Sequence, residues 1–102
     1  MSKNNDRAVL FLCTGNYYRS RFAEILFNSL AEKMGLPWRA ASRGLALERG
    51  VNNVGAMAVE ALARLEVLGI RAGDAVTRLP VQVMADDLER ADRIVALKQA
   101  EH

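Results

Sequence analysis

A single cysteine, Cys13, and a single histidine, His102, stand in a chain of 102 residues. One thiol excludes an internal disulfide and suits a reducing cytosol, so the expected location is cytoplasmic. It also excludes thioredoxin-like redox chemistry, which needs a Cys-x-x-Cys pair. The histidine is the last residue and reads as an exposed end, not a base. The acidic residues show no ligand spacing, so no metal is implied, and nothing calls for a cofactor. Long apolar runs are missing as well. No stretch nears the ~18–20 residues that span a membrane, and neither end carries a signal-peptide core. Runs of basic residues are missing too, which argues against nucleic acid.

What is present fits one small globular domain with a modest core: 51% of residues are hydrophobic and 25% charged. Residues 1–50 hold eight Lys/Arg against four Asp/Glu, and residues 51–102 hold six against eight. The first half, with Arg19, Arg21, Arg39, Arg43 and Arg49, is therefore the half that favours an anionic ligand. Arg39 and Arg49 read more simply as a solvated face.

Residues 8–22 organise the rest. Ala8 to Leu12 is an apolar run of strand length, followed by the turn-formers Cys13, Thr14, Gly15 and Asn16. From Arg19 the period becomes helical through Phe22, Ala23, Leu26, Leu30 and Met34. A loop between strand and helix aims backbone N–H groups at the helix N-terminus, where the dipole also favours negative charge. Cys13 stands at the mouth of this anion cradle. A free thiol has a pKa of about 8.5, and such surroundings bring it to about 3.5–7.5. Arg19 adds a planar fork that matches two phosphate oxygens and can hold the equatorial oxygens of a transferring phosphoryl group. Gly15 allows close backbone approach, Asn16 tolerates a left-handed conformation, and the Ser20 hydroxyl can donate to the thiolate. Nucleophile, cradle and clamp point to phosphoryl transfer through a cysteinyl-phosphate. A lone cysteine beside a buried strand is otherwise only a small hydrophobe; the arginine at +6, the serine at +7 and the strand–loop–helix context outweigh that reading.

Cys13-Thr14-Gly15-Asn16-Tyr17-Tyr18-Arg19-Ser20, followed by Phe22-Ala23-Glu24, resembles the phosphate-binding loop of the low-molecular-weight protein tyrosine phosphatases and related arsenate reductases. The likeness extends to Ala41-Ser42-Arg43-Gly44, to Leu68-Gly69-Ile70 and to Ala91 through Leu97. It implies Cys13 as nucleophile, Arg19 as phosphate clamp, residues 14–19 as the phosphate cradle, and Asn16, Ser20 and Ser42 as the network shaping the loop. It implies a phosphorylated protein or small aryl phosphate as substrate, with phosphate, sulfate or arsenate as cradle ligands. The departures are specific. Tyr18 stands where the family often has a second cysteine, and Arg21 where it often has proline. Leu45 to Val54 lacks the aromatic residues that wall the family's cleft. The family's general acid, an aspartate well past the last strand seen here, has no counterpart: Asp86, Asp87 and Asp92 precede or begin that strand. Without that acid, two alternatives stay open: an oxyanion-binding module without turnover, or an arsenate reductase drawing on an external thiol. Tyr17 and Tyr18 either flank a bound aryl phosphate or pack against the neighbouring helix.

In chain order, Met1 to Arg7 reads as frayed. Gly35 is a helix C-cap and Pro37 a stop. Trp38 to Ser42 forms a second strand, and Gly44 to Gly55 a loop, with Asn52-Asn53 as a turn signal and helix N-cap. Ala58, Ala61, Leu62, Leu65 and Leu68 make a core-facing helical stripe capped by Gly69. A brief strand lies near Ala75 to Arg78, Pro80 opens a short helix through Val81, Met84 and Leu88, and Arg93 to Leu97 is the last strand. This alternation predicts an α/β fold with a small open parallel four-stranded sheet and helices on both faces, flavodoxin-like in kind. The resemblance adds the strand order 2-1-3-4. The whole chain reads as one phosphatase-like domain, expected to continue beyond His102, because nothing after Leu97 covers the end of a parallel sheet.

Overall fold

The apolar run centred on Leu10 forms the central strand, and its two neighbours are both parallel to it. The computed structural model describes residues 7–47, 57–71, 73 and 77–97. Six elements are present among them: β1 (Arg7–Cys13), α1 (Arg19–Met34), β2 (Trp38–Gly44), α2 (Val59–Val67), α3 (Ala85–Arg90) and β3 (Arg93–Ala96). The strand order is β2-β1-β3. In register, Val9 faces Ala40 on one side and Arg93 on the other, and Cys13 faces Gly44.

The sheet therefore has three strands among the described residues, not four. Most of the third strand expected near Ala75 to Arg78 lies outside the described residues, and Thr77 and Arg78 belong to no strand. The strand expected in fourth place sits directly against β1, because Ile94, Val95 and Ala96 align with Leu10, Phe11 and Leu12. The chain from Arg78 to Val83 forms neither helix nor strand, and around Gln82 it pairs with Gly44 in an isolated parallel bridge. Gly44 N–H donates to the Val81 carbonyl at 2.7 Å, and Val83 N–H donates to the Gly44 carbonyl at 2.8 Å. Pro80 accordingly opens no helix. α3 starts only at Ala85, where the Asp87 carboxylate accepts from Met84 N–H at 2.8 Å and satisfies one orphan donor of that end.

α1 lies on the sheet face that carries Phe11 and Ala40. Phe11 and Phe27 meet edge to face with ring centroids 5.9 Å apart. Asn28 closes the outer edge of β2, accepting from Ala40 N–H at 2.7 Å and donating to the Ala40 carbonyl at 3.1 Å. With Asn28 at Ala40 and residues 81–83 at Gly44, that edge offers few free backbone groups to another chain. Gly35 ends α1 in the left-handed conformation, φ 68°, as its sequence position implies. On the opposite sheet face Arg43 pairs with Asp87 of α3 at 3.3 Å.

The buried stripe of α2 packs on α1. Ala58, Ala61 and Leu65 join Ile25 and Met57 in one cluster, flanked by Tyr17, Tyr18, Phe22, Leu62 and Ile70. Leu68, expected in the stripe, is 51% exposed because it lies past the last helical turn. The helix is preceded by Ala58 and not by the asparagine pair, which lies outside the described residues with the rest of 48–56. Arg7, expected to fray, is the first residue of β1: its N–H donates to the Pro37 carbonyl at 2.8 Å and its guanidinium sits over Trp38. Met1 to Asp6 lie outside the described residues. β3 is exposed along its length, Ile94 by 48%. Beside it Val9, Phe11, Phe27, Leu36, Trp38 and Val95 line an apolar cavity of about 430 Å³.

Candidate active site

β1 ends at Cys13 and α1 begins at Arg19, so residues 14–18 must turn the chain over the sheet's carboxyl edge. Open α/β sheets bind their ligands at that edge. Asn16 makes the turn with φ 51°, a conformation asparagine tolerates better than most residues. α1 has no side-chain cap at Tyr18 and no acidic residue in its first turn, so its leading N–H groups are left for an anion.

Those groups converge on sulfur. The Cys13 side chain is buried, with its Sγ 3.0 Å from Ser20 Oγ and within hydrogen-bonding reach of the backbone N–H groups of Ser20, Asn16 and Tyr17. Burial pushes the thiol up. The Ser20 hydroxyl, and then the three N–H groups, favour the thiolate and outweigh it, so the thiol is held below its ordinary value. Arg19 Nε is buried without a hydrogen-bond partner among the described residues. A buried N–H without an acceptor is uncommon, and a guanidinium beside an anion cradle is suited to a phosphate oxygen.

Behind the loop lies a closed polar network. Asn16 Nδ2 donates to Ser20 Oγ and to Ser42 Oγ, both at 2.9 Å. Asn16 Oδ1 accepts from Val81 N–H at 2.9 Å and from Arg78 Nη1 at 3.2 Å. The amide thus uses its whole hydrogen-bonding capacity. Ser42 Oγ donates to Glu24 Oε1 at 2.5 Å and accepts from Arg78 Nη2 at 3.0 Å, and that nitrogen also reaches Glu24 at 3.3 Å. Asn16, Ser20 and Ser42 are fully buried, so each of these bonds replaces water that cannot enter.

Two further contacts fix the loop's backbone. Leu45 N–H donates to the Cys13 carbonyl at 2.8 Å and Ala46 N–H to the Thr14 carbonyl at 2.9 Å. Gly44 lies so close that a Cβ there would stand 2.6 Å from Leu47 Cδ2, 3.0 Å from the Thr14 carbonyl oxygen and 3.2 Å from Asn16 Cβ. Arg21 is also fully buried, its Nη1 3.5 Å from the Asn16 carbonyl oxygen. Burial, and then the neighbouring Arg78 charge, push its pKa down to about 10, with Glu24 opposing.

Of the residues singled out from the sequence, Cys13, Asn16, Ser20 and Ser42 are joined by hydrogen bonds at one place. Thr14, Gly15 and Asn16 form the turn over Cys13, and Ser42 comes in from β2. Of the two readings of Tyr17 and Tyr18, both side chains take the packed one, against the α1–α2 cluster. Sequence reasoning did not reach Arg78 or Val81. They lie 62 and 65 residues from Asn16, in a segment whose local signals read only as a brief strand and a helix start. Glu24 carried a faint signal, falling one helical turn after Ser20. Asp87 and Asp92 are engaged elsewhere: Asp87 with Arg43 and Met84 N–H, Asp92 with Ala8 N–H at 2.7 Å near the start of β1, the strand end remote from Cys13.

A family model described as low molecular weight phosphotyrosine protein phosphatase matches residues 8–102. The chain belongs to that family. Among solved structures, this phosphatase-family chain is similar to a low molecular weight protein tyrosine phosphatase from T. tengcongensis at 32% identity and a TM-score of 0.75, over 89% of this chain and 58% of that one. It is similar to YfkJ from Bacillus subtilis at 31% identity and 0.73, over 89% and 55%. A low molecular weight protein tyrosine phosphatase from Bacillus subtilis, solved in solution, gives 31% identity and 0.68, over 87% and 54%. The chain thus spans little more than half the length of the phosphatase-family structures it matches. Comparison with curated proteins finds no match. The α/β architecture with a parallel sheet is that of these phosphatases. Among the described residues no helix is long and apolar enough to cross a membrane.

Proposed function

We propose that the chain hydrolyses phosphate monoesters of the phosphotyrosine type through a cysteinyl-phosphate. The observation that carries this reading is the convergence of three backbone N–H groups and the Ser20 hydroxyl on Cys13 Sγ. The Cys13 thiolate attacks phosphorus in line; an S–P bond forms as the P–O bond to the aryl group breaks, and the aryl oxide leaves. Arg19 and the N–H groups of residues 14–19 hold the equatorial oxygens, where the transition state spreads its charge. Water then attacks the cysteinyl-phosphate, the S–P bond breaks, and inorganic phosphate departs as the thiolate re-forms. Ser20 donates its hydroxyl to the leaving sulfur. In this reading no aspartate of this chain protonates the aryl oxide, and solvent does so. The rate is then lowered by about 10²–10⁴, most for poor leaving groups.

The test is hydrolysis of p-nitrophenyl phosphate by the chain, with Cys13→Ser and Arg19→Ala beside it. Turnover lost in both variants supports the reading, because this substrate has a good leaving group and needs the acid least. Turnover that survives Cys13→Ser overturns it. A folded chain that binds vanadate through Arg19 without turnover would be an oxyanion-binding module. Arsenate reduction only with added thiol would move the assignment to the arsenate-reductase relatives.

A further inference from the structure

Every proton in the network behind the loop has a direction that the partners dictate. Ser42 has one hydroxyl proton, and Glu24 Oε1, an acceptor only, takes it at 2.5 Å. Ser42 Oγ must then accept from Asn16 Nδ2 and Arg78 Nη2. Ser20 Oγ likewise accepts from Asn16 Nδ2, which leaves its own proton for Cys13 Sγ at 3.0 Å. The chain of donation runs outward from one amide. If that amide were turned over, Oδ1 would accept from Ser20, and the hydroxyl would point away from sulfur.

What forbids the turned amide is the pair of donors on its far side. Arg78 Nη1 and Val81 N–H both lie within hydrogen-bonding distance of Oδ1, and neither can accept. Arg78 also bonds Ser42, Glu24 and the carbonyl of Leu79, so one guanidinium grips the amide, its serine and its carboxylate at once. Lysine, whose three N–H donors all sit on one nitrogen, could not span these partners. We propose that Arg78 is a positioning residue: it fixes the Asn16 amide so that Ser20 donates to the Cys13 thiolate. Its hydrogen bonds go to Asn16, Ser42, Glu24 and Leu79, and none goes to Cys13. The segment from Arg78 to Val83, tied to Gly44 at 2.7 and 2.8 Å, is the rear wall that carries it. The inference rests on Cys13 acting as a thiolate but not on turnover.

The chain's one cysteine makes the test a single-site measurement. The pH dependence of iodoacetamide alkylation is followed in the wild type and in Arg78→Met, Arg78→Lys, Ser20→Ala and the Ser20→Ala/Arg78→Met double variant. Arg78→Met is expected to raise the alkylation midpoint by about one pH unit, and Arg78→Lys to restore only part of it. In the Ser20→Ala background Arg78→Met is expected to move the midpoint by much less, since the route through Ser20 is already cut. An unmoved midpoint in folded Arg78→Met, or a full additional shift in the double variant, overturns the proposal. Should Arg78→Met not fold, Arg78→Lys decides alone: it keeps the charge, so an unmoved midpoint overturns the role of the fork. If p-nitrophenyl phosphate is not hydrolysed at all, these midpoints still report on Arg78, so the two failures are distinguishable.

Discussion

Val81 N–H donates to the side-chain oxygen of Asn16 at 2.9 Å, across 65 residues of sequence. The contact joins the segment bridged to Gly44, at the end of β2, to the turn that cradles Cys13. Two substitutions of Asn16 separate its two tasks. Asn16→Gly keeps the left-handed backbone and loses the amide, so buried Ser20 and Ser42 each lose a donor and Val81 N–H loses its acceptor. An unsatisfied buried polar group costs about 1–3 kcal/mol, so a loss near 3 kcal/mol is expected in urea unfolding. Asn16→Ala is expected to lose about 1–2 kcal/mol more, the cost of left-handed backbone for a residue with a Cβ.

Gly44 sits between the loop and residues 81–83. Gly44→Ala would place its methyl 3.0 Å from the Thr14 carbonyl oxygen, which is backbone and cannot swing aside as Leu47 can. Crowding of this kind costs about 1–3 kcal/mol. Denaturant melts should show that loss. The Cys13 alkylation midpoint should rise with it, because the displaced backbone is the one that donates to sulfur.

The lowered Cys13 pKa makes part of the stability pH-dependent. The native state prefers the thiolate more than the unfolded chain does, so the unfolded chain binds more protons between the two pKa values and stability rises with pH there. The contribution is complete above the unfolded value of about 8.5. It fades as pH falls through the native value. Wild type minus Cys13→Ser, measured by urea unfolding across this range, should therefore increase with pH; a flat difference would mean that the thiol is not shifted.

Asp87 and Asp92 are the aspartates nearest in sequence to β3, and both are committed to structure. Asp87→Asn should weaken the pairing with Arg43, a partly exposed contact worth at most about 1 kcal/mol. Asp92→Asn should weaken its bond to Ala8 N–H by a similar amount. Neither should change p-nitrophenyl phosphate turnover by more than about twofold, against the ~10²–10⁴ expected for loss of a general acid.

The catalytic end of the fold could be read from the sequence because it is local. Strand, turn, arginine and serine follow one another within residues 8–20, and each residue type has a short-range reason for its place. The Gly35 and Gly69 helix ends were readable for the same reason, since a residue past a helix end needs positive φ. The rear of the site was not, because its decisive contacts are long-range. Arg78 and Val81 act through partners 36 to 65 residues away, and nothing in their own neighbourhood reports it. The error over the sheet has the same origin. Pro80 carries a helix-start signal, but pairing with Gly44 and Asn16 keeps that segment out of a helix, and β3 takes the place beside β1.

The most direct test of the account is to trap the intermediate. The chain is mixed with p-nitrophenyl phosphate, quenched in acid within the first turnover, and analysed by peptide mass spectrometry. The account predicts phosphate on Cys13 and none in the Cys13→Ser chain. Hydrolysis with Cys13 unmodified at every quench time, or phosphate carried on another residue, would contradict it.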